Sequence, residues 1–265
     1  MSTERRAFLG GALALASASI LAGCDKIAMN PGVNKVLGSV QGLNRRLQRL
    51  FWAPHTMARE YRKQDISAWF KPNGAVAPDS PQAYEYSPEY HTLAANGFKD
   101  WRLVVDGLVD HPLSLSLDDL RAMAARTQIT RHDCVEGWSC IGQWSGVQLA
   151  RVLSAAKLKS NAKYVVFHCA DVWDKDADGK PTQRYYESLG LDDAVHPQTI
   201  LAYDMNGQPL PVPHGAPLRL RVERQLGYKH AKYLMRIEAV ESFAHIGQGG
   251  GGYWEDNGYE WYAGI

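Results

Sequence analysis

The segment Arg131 to Gly146, RHDCVEGWSCIGQWSG, constrains the chain more than any other. It gathers a lone thiol pair, an imidazole, two carboxylates and two indoles between a strand-like run and a helical one. Ahead of it, Thr127-Gln128-Ile129-Thr130 alternates polar and apolar at the two-residue period of a strand, which puts Cys134 at or just past a strand end. Behind it, Val147 to Leu158 carries Leu149, Val152, Leu153 and Ala156 at helical spacing, a packed helix that would brace the loop. Reactive groups often sit on loops held by such a scaffold. The local residues leave three chemistries open for Cys134. It packs as a small buried hydrophobe, as free thiols commonly do; it is a nucleophile activated by His132; or it is a soft anionic ligand to a transition metal.

The flanking patterns describe a mixed α/β domain. Leu103 to Val109 reads as a strand with a bend at Asp106-Gly107, and Ser116 with Asp119 makes an S-x-x-D start for a helix from Leu117 to Ala125. Lys163 to Cys169 is a buried strand ending in His168-Cys169, and Asn206-Gly207 between extended runs signals a hairpin. Leu218 to Glu223 alternates strictly, placing three apolar residues on one face and Arg219, Arg221 and Glu223 on the other, so Arg219 is expected to point away from the core. Tyr233 to Glu241 alternates as a closing strand. Residues 71–100, broken by Pro72, Pro78, Pro81 and Pro88, form an irregular wrapping segment in which Asn73-Gly74 reads as a turn. Asp174, Asp176 and Asp178 imitate a calcium loop, but position twelve is Tyr185 rather than Glu, and a solvated acidic loop is the better account. Trp173, Tyr185 and Tyr186 stand where they would shape substrate access. The glycine- and aromatic-rich tail from Gly247 suggests a loop folded back over the domain.

Three blocks, HDCVEGWSCIGQWSGVQLARVL, LAYDMNGQPLPVPHGAPLRLRV and LGYKHAKYLMRIEAV, resemble in order and spacing the molybdopterin-binding domain of the sulfite oxidase superfamily. The similarity runs from about Trp69 to the C-terminus and is greatest to the haem-free bacterial branch that includes a periplasmic protein-methionine-sulfoxide reductase. It implies a single mixed α/β (α+β) catalytic domain of the sulfite oxidase type with one molybdenum–molybdopterin cofactor, Cys134 being the protein ligand to the metal. By the same resemblance Asn73, Cys169, His214, Arg219, His230 and Lys232 approach the pterin or its phosphate, and Arg219 also faces substrate. Cys169 stands where the family commonly has threonine, so its hydrogen bond would be weaker. His132 and Glu136 would orient the ligand loop. The implied reaction is oxygen-atom transfer, either sulfoxide reduction or sulfite-type oxidation, on a small-molecule or protein substrate. Electrons would pass through a separate carrier, a membrane cytochrome or cytochrome c. Two other classes stay open: a lipid-anchored binding or assembly protein without metal, and a thiol enzyme using Cys134 and His132.

Residues 1–23 read as an export signal, with Arg5-Arg6 before Ala-Phe-Leu resembling the twin-arginine motif used for proteins that fold around a cofactor before export. Leu21-Ala22-Gly23-Cys24 resembles a lipobox, which would leave Cys24 lipidated and the protein periplasmic at a membrane surface. Residues 24–68 form an N-terminal helical or linker segment, with Val36, Val40, Leu43, Leu47 and Leu50 on one face of a helix and Arg45, Arg46 and Arg49 between them. The catalytic domain then occupies 69–265. Removing Arg5, Arg6 and Glu4 from 29 basic and 28 acidic residues leaves a neutral chain, which argues against nucleic acid as a partner. Four cysteines in this length exclude a disulfide framework, and no Cys-x-x-Cys-His is present.

Overall fold

The computed structural model describes residues 56–76, 87–179 and 181–265, which belong to one compact unit, Pro54–Ile265. The export signal, Cys24 and the amphipathic run Val33 to Trp52 lie outside the described residues. Two five-stranded sheets form the domain. The first has the order β2-β1-β10-β5-β6, built from β1 (Leu103–Gly107), β2 (Leu113–Leu115), β5 (Tyr164–Lys175), β6 (Pro181–Gly190) and β10 (Leu234–Val240). Its β1 and β10 run parallel, in register Val104 to Arg236, and its other pairings are antiparallel. The second sheet is β3 (Ala125–Asp133), β4 (Ser139–Gln148), β7 (Ile200–Met205) and β8 (Gln208–Pro209), with β9 (Arg219–Arg221) also paired to β7.

Among the described residues five short helices complete it: α1 (Pro88–Ala95), α2 (Leu117–Ala122), α3 (Leu149–Ala156), α4 (Leu191–Ala194) and α5 (Tyr253–Asp256). Helix α2 begins at a capping box, Ser116 Oγ accepting from Asp119 N at 3.1 Å while Asp119 Oδ2 accepts from Ser116 N at 2.8 Å. Satisfying two otherwise unpaired amides fixes where the helix starts. It stops three residues short of the expected Ala125, because Ala125 is already the first residue of β3. In α3 the periodic residues Leu149, Val152, Leu153 and Ala156 are all buried, in the same core as Trp101, Val147, Phe167 and Ile237. The turn between β7 and β8 has Asn206 at φ 51° and Gly207 at φ 78°, the doubly left-handed geometry for which Asn-Gly is suited.

The stretch expected to be a loop from Cys134 to the helix is mostly strand. Strands β3 and β4 pair from Ala125–Val147 to Asp133–Ser139, so Cys134 begins a hairpin turn rather than a strand-to-helix connection. Gly142 and Gly146 hide this strand in the sequence, since glycine weakens a strand pattern. Both have packing reasons: a Cβ on Gly142 would meet the Phe70 ring at 3.1 Å, and one on Gly146 would collide with the Leu201 carbonyl. The acidic run is the exposed end of the β5–β6 hairpin, as the solvated reading has it. The tail does fold back: Gly264 bridges Gln225, and Ile265 N donates to Arg224 O.

Candidate cofactor site

The hairpin turn that carries Cys134 is closed by two backbone bonds, Cys134 N to Trp138 O at 2.9 Å and Gly137 N to Cys134 O at 3.0 Å. Gly137 takes φ 82° there, a conformation open to glycine. Glu136 accepts from the Trp138 indole at 2.9 Å and from Lys71 at 3.3 Å, so it braces the turn, as expected of it. Half-burial pushes the Cys134 thiol above its ordinary pKa, and the Glu136 carboxylate adds to the rise. An activated nucleophile needs the opposite shift. The imidazole proposed to activate it is also engaged elsewhere: His132 is buried, with Nδ1 at 2.9 Å from the Arg221 guanidinium. This arrangement speaks against a Cys134–His132 thiol pair.

Strand β9 departs from its expected orientation. All of Leu218 to Glu223 is buried, and Arg219 and Arg221 are fully enclosed. The charged face is covered too, so alternation separates an apolar interior from a polar one rather than core from solvent. Arg219 donates to His214 O at 2.9 Å and reaches His230 O at 3.4 Å, its guanidinium 5.0 Å from the Trp144 ring centre. Arg221 lies 4.4 Å over the same ring and forks onto Glu223 through Nε at 2.9 Å and a second nitrogen at 2.6 Å. Burial and the neighbouring Arg221 charge bring Arg219 down to about 9.

The three histidines converge on this cluster. His132 and His230 meet edge to face at 4.9 Å, and the Phe70 ring lies 5.8 Å from His132 and 5.7 Å from His214. Burial first, then the surrounding cations, hold His132 and His230 well below the usual imidazole range and take His214 to about 4. All three are therefore neutral at physiological pH. Gly227 comes so close that a Cβ there would lie 2.6 Å from His132 Nε2 and 3.2 Å from Asp133 O.

Gly227 and His230 also line a small adjoining pocket of about 30 Å³, together with Asn73, Asp171, Trp173, Tyr185, Tyr228, Lys232 and Trp254. Trp173 and Tyr185 thus stand at the site, whereas Tyr186 turns away to Ile246 O and Asp256. Lys232 donates to the backbone carbonyls of Asn73 at 2.5 Å, Ala75, and Pro213 at 2.9 Å. Cys169 is buried on β5, two residues before Asp171, and burial keeps its thiol protonated. Cys134 itself does not line the pocket but follows Asp133, whose carbonyl Gly227 approaches. Among the described residues no group of three His, Cys, Asp or Glu side chains forms a metal site, so any metal at Cys134 would draw its other ligands from a cofactor.

Seven buried side-chain atoms around this cluster have no hydrogen-bond partner: Asn73 Oδ1, His132 Nε2, Trp144 Nε1, Asp171 Oδ1, His214 Nδ1, Arg219 Nε and His230 Nδ1. Native proteins leave few such atoms, and their concentration at one place marks a binding site that expects a polar ligand. Residues 91–245 match the family model "Oxidoreductase molybdopterin binding domain". The chain belongs to this family. Across 98% of its length it is 36% identical to the putative protein-methionine-sulfoxide reductase subunit YedZ1 of Azospira oryzae, covering 87% of that protein. It is 41% identical to the protein-methionine-sulfoxide reductase catalytic subunit MsrP of Xanthomonas campestris over 53% of this chain, spanning only 45% of the relative. An oxidoreductase of Bacillus subtilis, YuiH, is 32% identical over 75% of this chain and 89% of its own. The residues present suit the family's cofactor: a thiol on a fixed turn, unpaired polar atoms to meet a pterin, and cations in excess of the Glu223 and Asp171 carboxylates to meet a phosphate.

Of the functional residues, Arg221, Glu223 and Asp171 went unread in the sequence. The alternation of β9 marked Arg221 and Glu223 as a charged face but not a buried one. Asp171 was hidden at the head of the acidic run.

Proposed function

We propose that this chain holds one mononuclear molybdenum–molybdopterin cofactor through Cys134 and carries out oxygen-atom transfer at a sulfur centre, reducing sulfoxides in the periplasm. The cluster of unpartnered buried polar atoms carries this reading. The names of the similar reductase subunits favour methionine sulfoxide as the first substrate. When bound, the cofactor supplies the oxygen-atom transfer and its two-electron change.

The chain's own residues position and shield it. Cys134 loses its proton on binding metal, so loading releases acid, and the raised thiol pKa makes affinity fall as pH drops. Arg219 Nε, His214 Nδ1 and His230 Nδ1 are the free atoms that would meet the pterin and its phosphate. Asn73 Oδ1, unpaired at the pocket, would accept from it. Trp173, Tyr185, Tyr228 and Trp254 line the pocket and would shield a bound group from water, which would strengthen each of these contacts. Arg219, a fully buried cation with Nε unpaired, would also attract the oxygen of a polar substrate. A separate cytochrome provides the electrons. The twin-arginine leader exports the folded, loaded protein, and lipidation of Cys24 would keep it at the membrane.

Molybdenum and pterin content tests the reading, measured in protein from a twin-arginine-competent host beside Cys134→Ala. One molybdenum per chain, lost in the variant, with methionine sulfoxide reduced by a viologen dye, supports it. A folded wild type with neither molybdenum nor tungsten overturns it.

A further inference from the structure

A polar seam joins β3 to the segment Arg221 to Glu223. Gln128, Thr130 and His132 are buried at every second residue of β3, and Cys134 is the next residue at that spacing. Glu223 accepts from Gln128 at 2.9 Å, and Arg221 reaches Thr130 at 3.5 Å and His132 Nδ1 at 2.9 Å. Both Glu223 oxygens in turn hold Arg221. One atom of the seam stays unmatched, His132 Nε2, on a residue 1% exposed. The seam decides what that atom carries. A guanidinium has donors only, so Nδ1 presents its lone pair to Arg221, and the neutral ring holds its one proton on Nε2. His132 therefore keeps a buried N–H with no acceptor, a costly state that native proteins rarely leave standing. His230 is the reverse: its Nε2 donates to Gln225 O at 3.0 Å, which leaves a lone pair on Nδ1. The two rings do not satisfy one another, because they meet edge to face with their planes 85° apart. Gly227 supplies the opening. A Cβ there would stand 2.6 Å from His132 Nε2, so its absence leaves the space beside the N–H free, and Gly227 is also on the pocket wall.

We propose that His132 is a further cofactor-binding residue, donating its Nε2–H to a sulfur or oxygen acceptor at the metal end of the bound group. The inference rests on the cofactor reading above and deepens it. The metal end follows from the chain: His132 precedes Cys134 by one strand period, so the two side chains leave β3 on the same face. Arg221 and Glu223 are positioning residues that act through His132. A guanidinium stays charged, so the tautomer is set before a ligand arrives. The donor then needs neither rotation nor a change of protonation to engage, which removes an ordering cost from binding.

Asparagine and glutamine separate the two nitrogens of the ring. In His132→Asn the amide oxygen can take the place of Nδ1 and accept from Arg221, with no donor left at Nε2. In His132→Gln the amide nitrogen can reach the Nε2 position, while Arg221 loses its acceptor. Each would be purified loaded, from a cofactor-making host, and cofactor-free, from a host that makes none. Molybdenum content and the fluorescence of released, oxidised pterin are followed over time in the first, and melting temperature is measured in the second. The expected orders are opposite. H132N releases cofactor about tenfold faster than wild type, the scale of one lost hydrogen bond, yet melts above H132Q. H132Q melts lower and retains cofactor better than H132N. The imidazole nitrogen resonances of cofactor-free wild type, assigned by their loss in H132N, read the tautomer without any variant having to bind, and the proton is expected on Nε2. A proton on Nδ1 overturns the inference. So does release from H132N at the wild-type rate, and so does release that simply follows melting temperature in both variants, the mark of a purely structural role. Each of these leaves the cofactor reading standing. A folded wild type that carries no pterin overturns that reading and this inference together.

Discussion

Replacing Glu223 by Gln isolates the charge arrangement at the heart of the site. Glu223 and Arg221 are joined at 2.6 and 2.9 Å with neither side chain exposed, and Gln128 adds a third donor to the carboxylate at 2.9 Å. Removing one partner of a buried pair costs about 3–5 kcal/mol, because the remaining charge has no solvent to return to. Arg221 would be left among Arg219, His132 and Trp144, and the new amide nitrogen would face guanidinium donors. Gln can still accept one bond, so the lower end, about 3 kcal/mol, is the expected loss. In a domain of this size each kcal/mol is worth roughly 2–4 °C, giving a fall of about 6–12 °C in melting temperature. Thermal and guanidinium unfolding of cofactor-free protein by circular dichroism would measure it, with Glu241→Gln in the exposed Lys163 pair as a control that leaves melting unchanged. Phosphate added to E223Q should restore part of the loss, since an anion bound only by the folded state stabilises it. A fall below about 1 kcal/mol, or no difference from the control, would refute the view that Glu223 neutralises a buried cation.

Two further outcomes follow from the geometry. Gly227→Ala places a methyl 2.6 Å from His132 Nε2 without any left-handed backbone to violate, so the cost, about 1–3 kcal/mol by unfolding, comes from overpacking alone, and molybdenum retention falls with it. Acid should destabilise the cofactor-free protein early: His132, His214 and His230 have folded pKa values below their unfolded ones, so the unfolded chain takes protons first as pH falls below about 6.5. Stability is then lost between about 6.5 and, for His214, about 4, at no more than about 1.4 kcal/mol per pH unit for each group. Asp171, raised to about 6, works in the opposite sense, so D171N should steepen the acid loss. A melting temperature flat from pH 7 to 5 would contradict these assignments.

What could be read from the sequence was local. The capping box at Ser116, the Asn206-Gly207 turn and the periodicity of α3 each lie within a few residues, and each formed as expected. Cys134 just past a strand end follows from the alternation of Thr127 to Thr130. The resemblance brought Asn73, His214, Arg219, His230 and Lys232 to attention, and folding gathers them around one cluster although Asn73 and Lys232 are 159 positions apart. Strand β4 escaped because Phe70 and Leu201, which explain its glycines, are remote in sequence. The buried Lys229 bound by Glu187 and Glu255 escaped for the same reason: its partners, on β6 and α5, are remote in sequence.

The three carbonyls gathered by Lys232 give the pocket wall an unusual dependence. Residues 73–75 reach it as irregular backbone, pinned by Ala75 in a small apolar cluster with Tyr90, Ala170 and Tyr233, by the Tyr233 hydroxyl donating to the Ala75 carbonyl at 2.8 Å, and by the Lys232 ammonium. A phosphate arriving in the pocket competes with those carbonyls for the same three hydrogens. Loading and wall position would thereby be linked through Lys232 Nζ: an anion that took its hydrogens would leave the Ala75 carbonyl to the Tyr233 hydroxyl and free that of Asn73. Entry of the cofactor and rearrangement of residues 73–75 would accordingly be two halves of one exchange of partners.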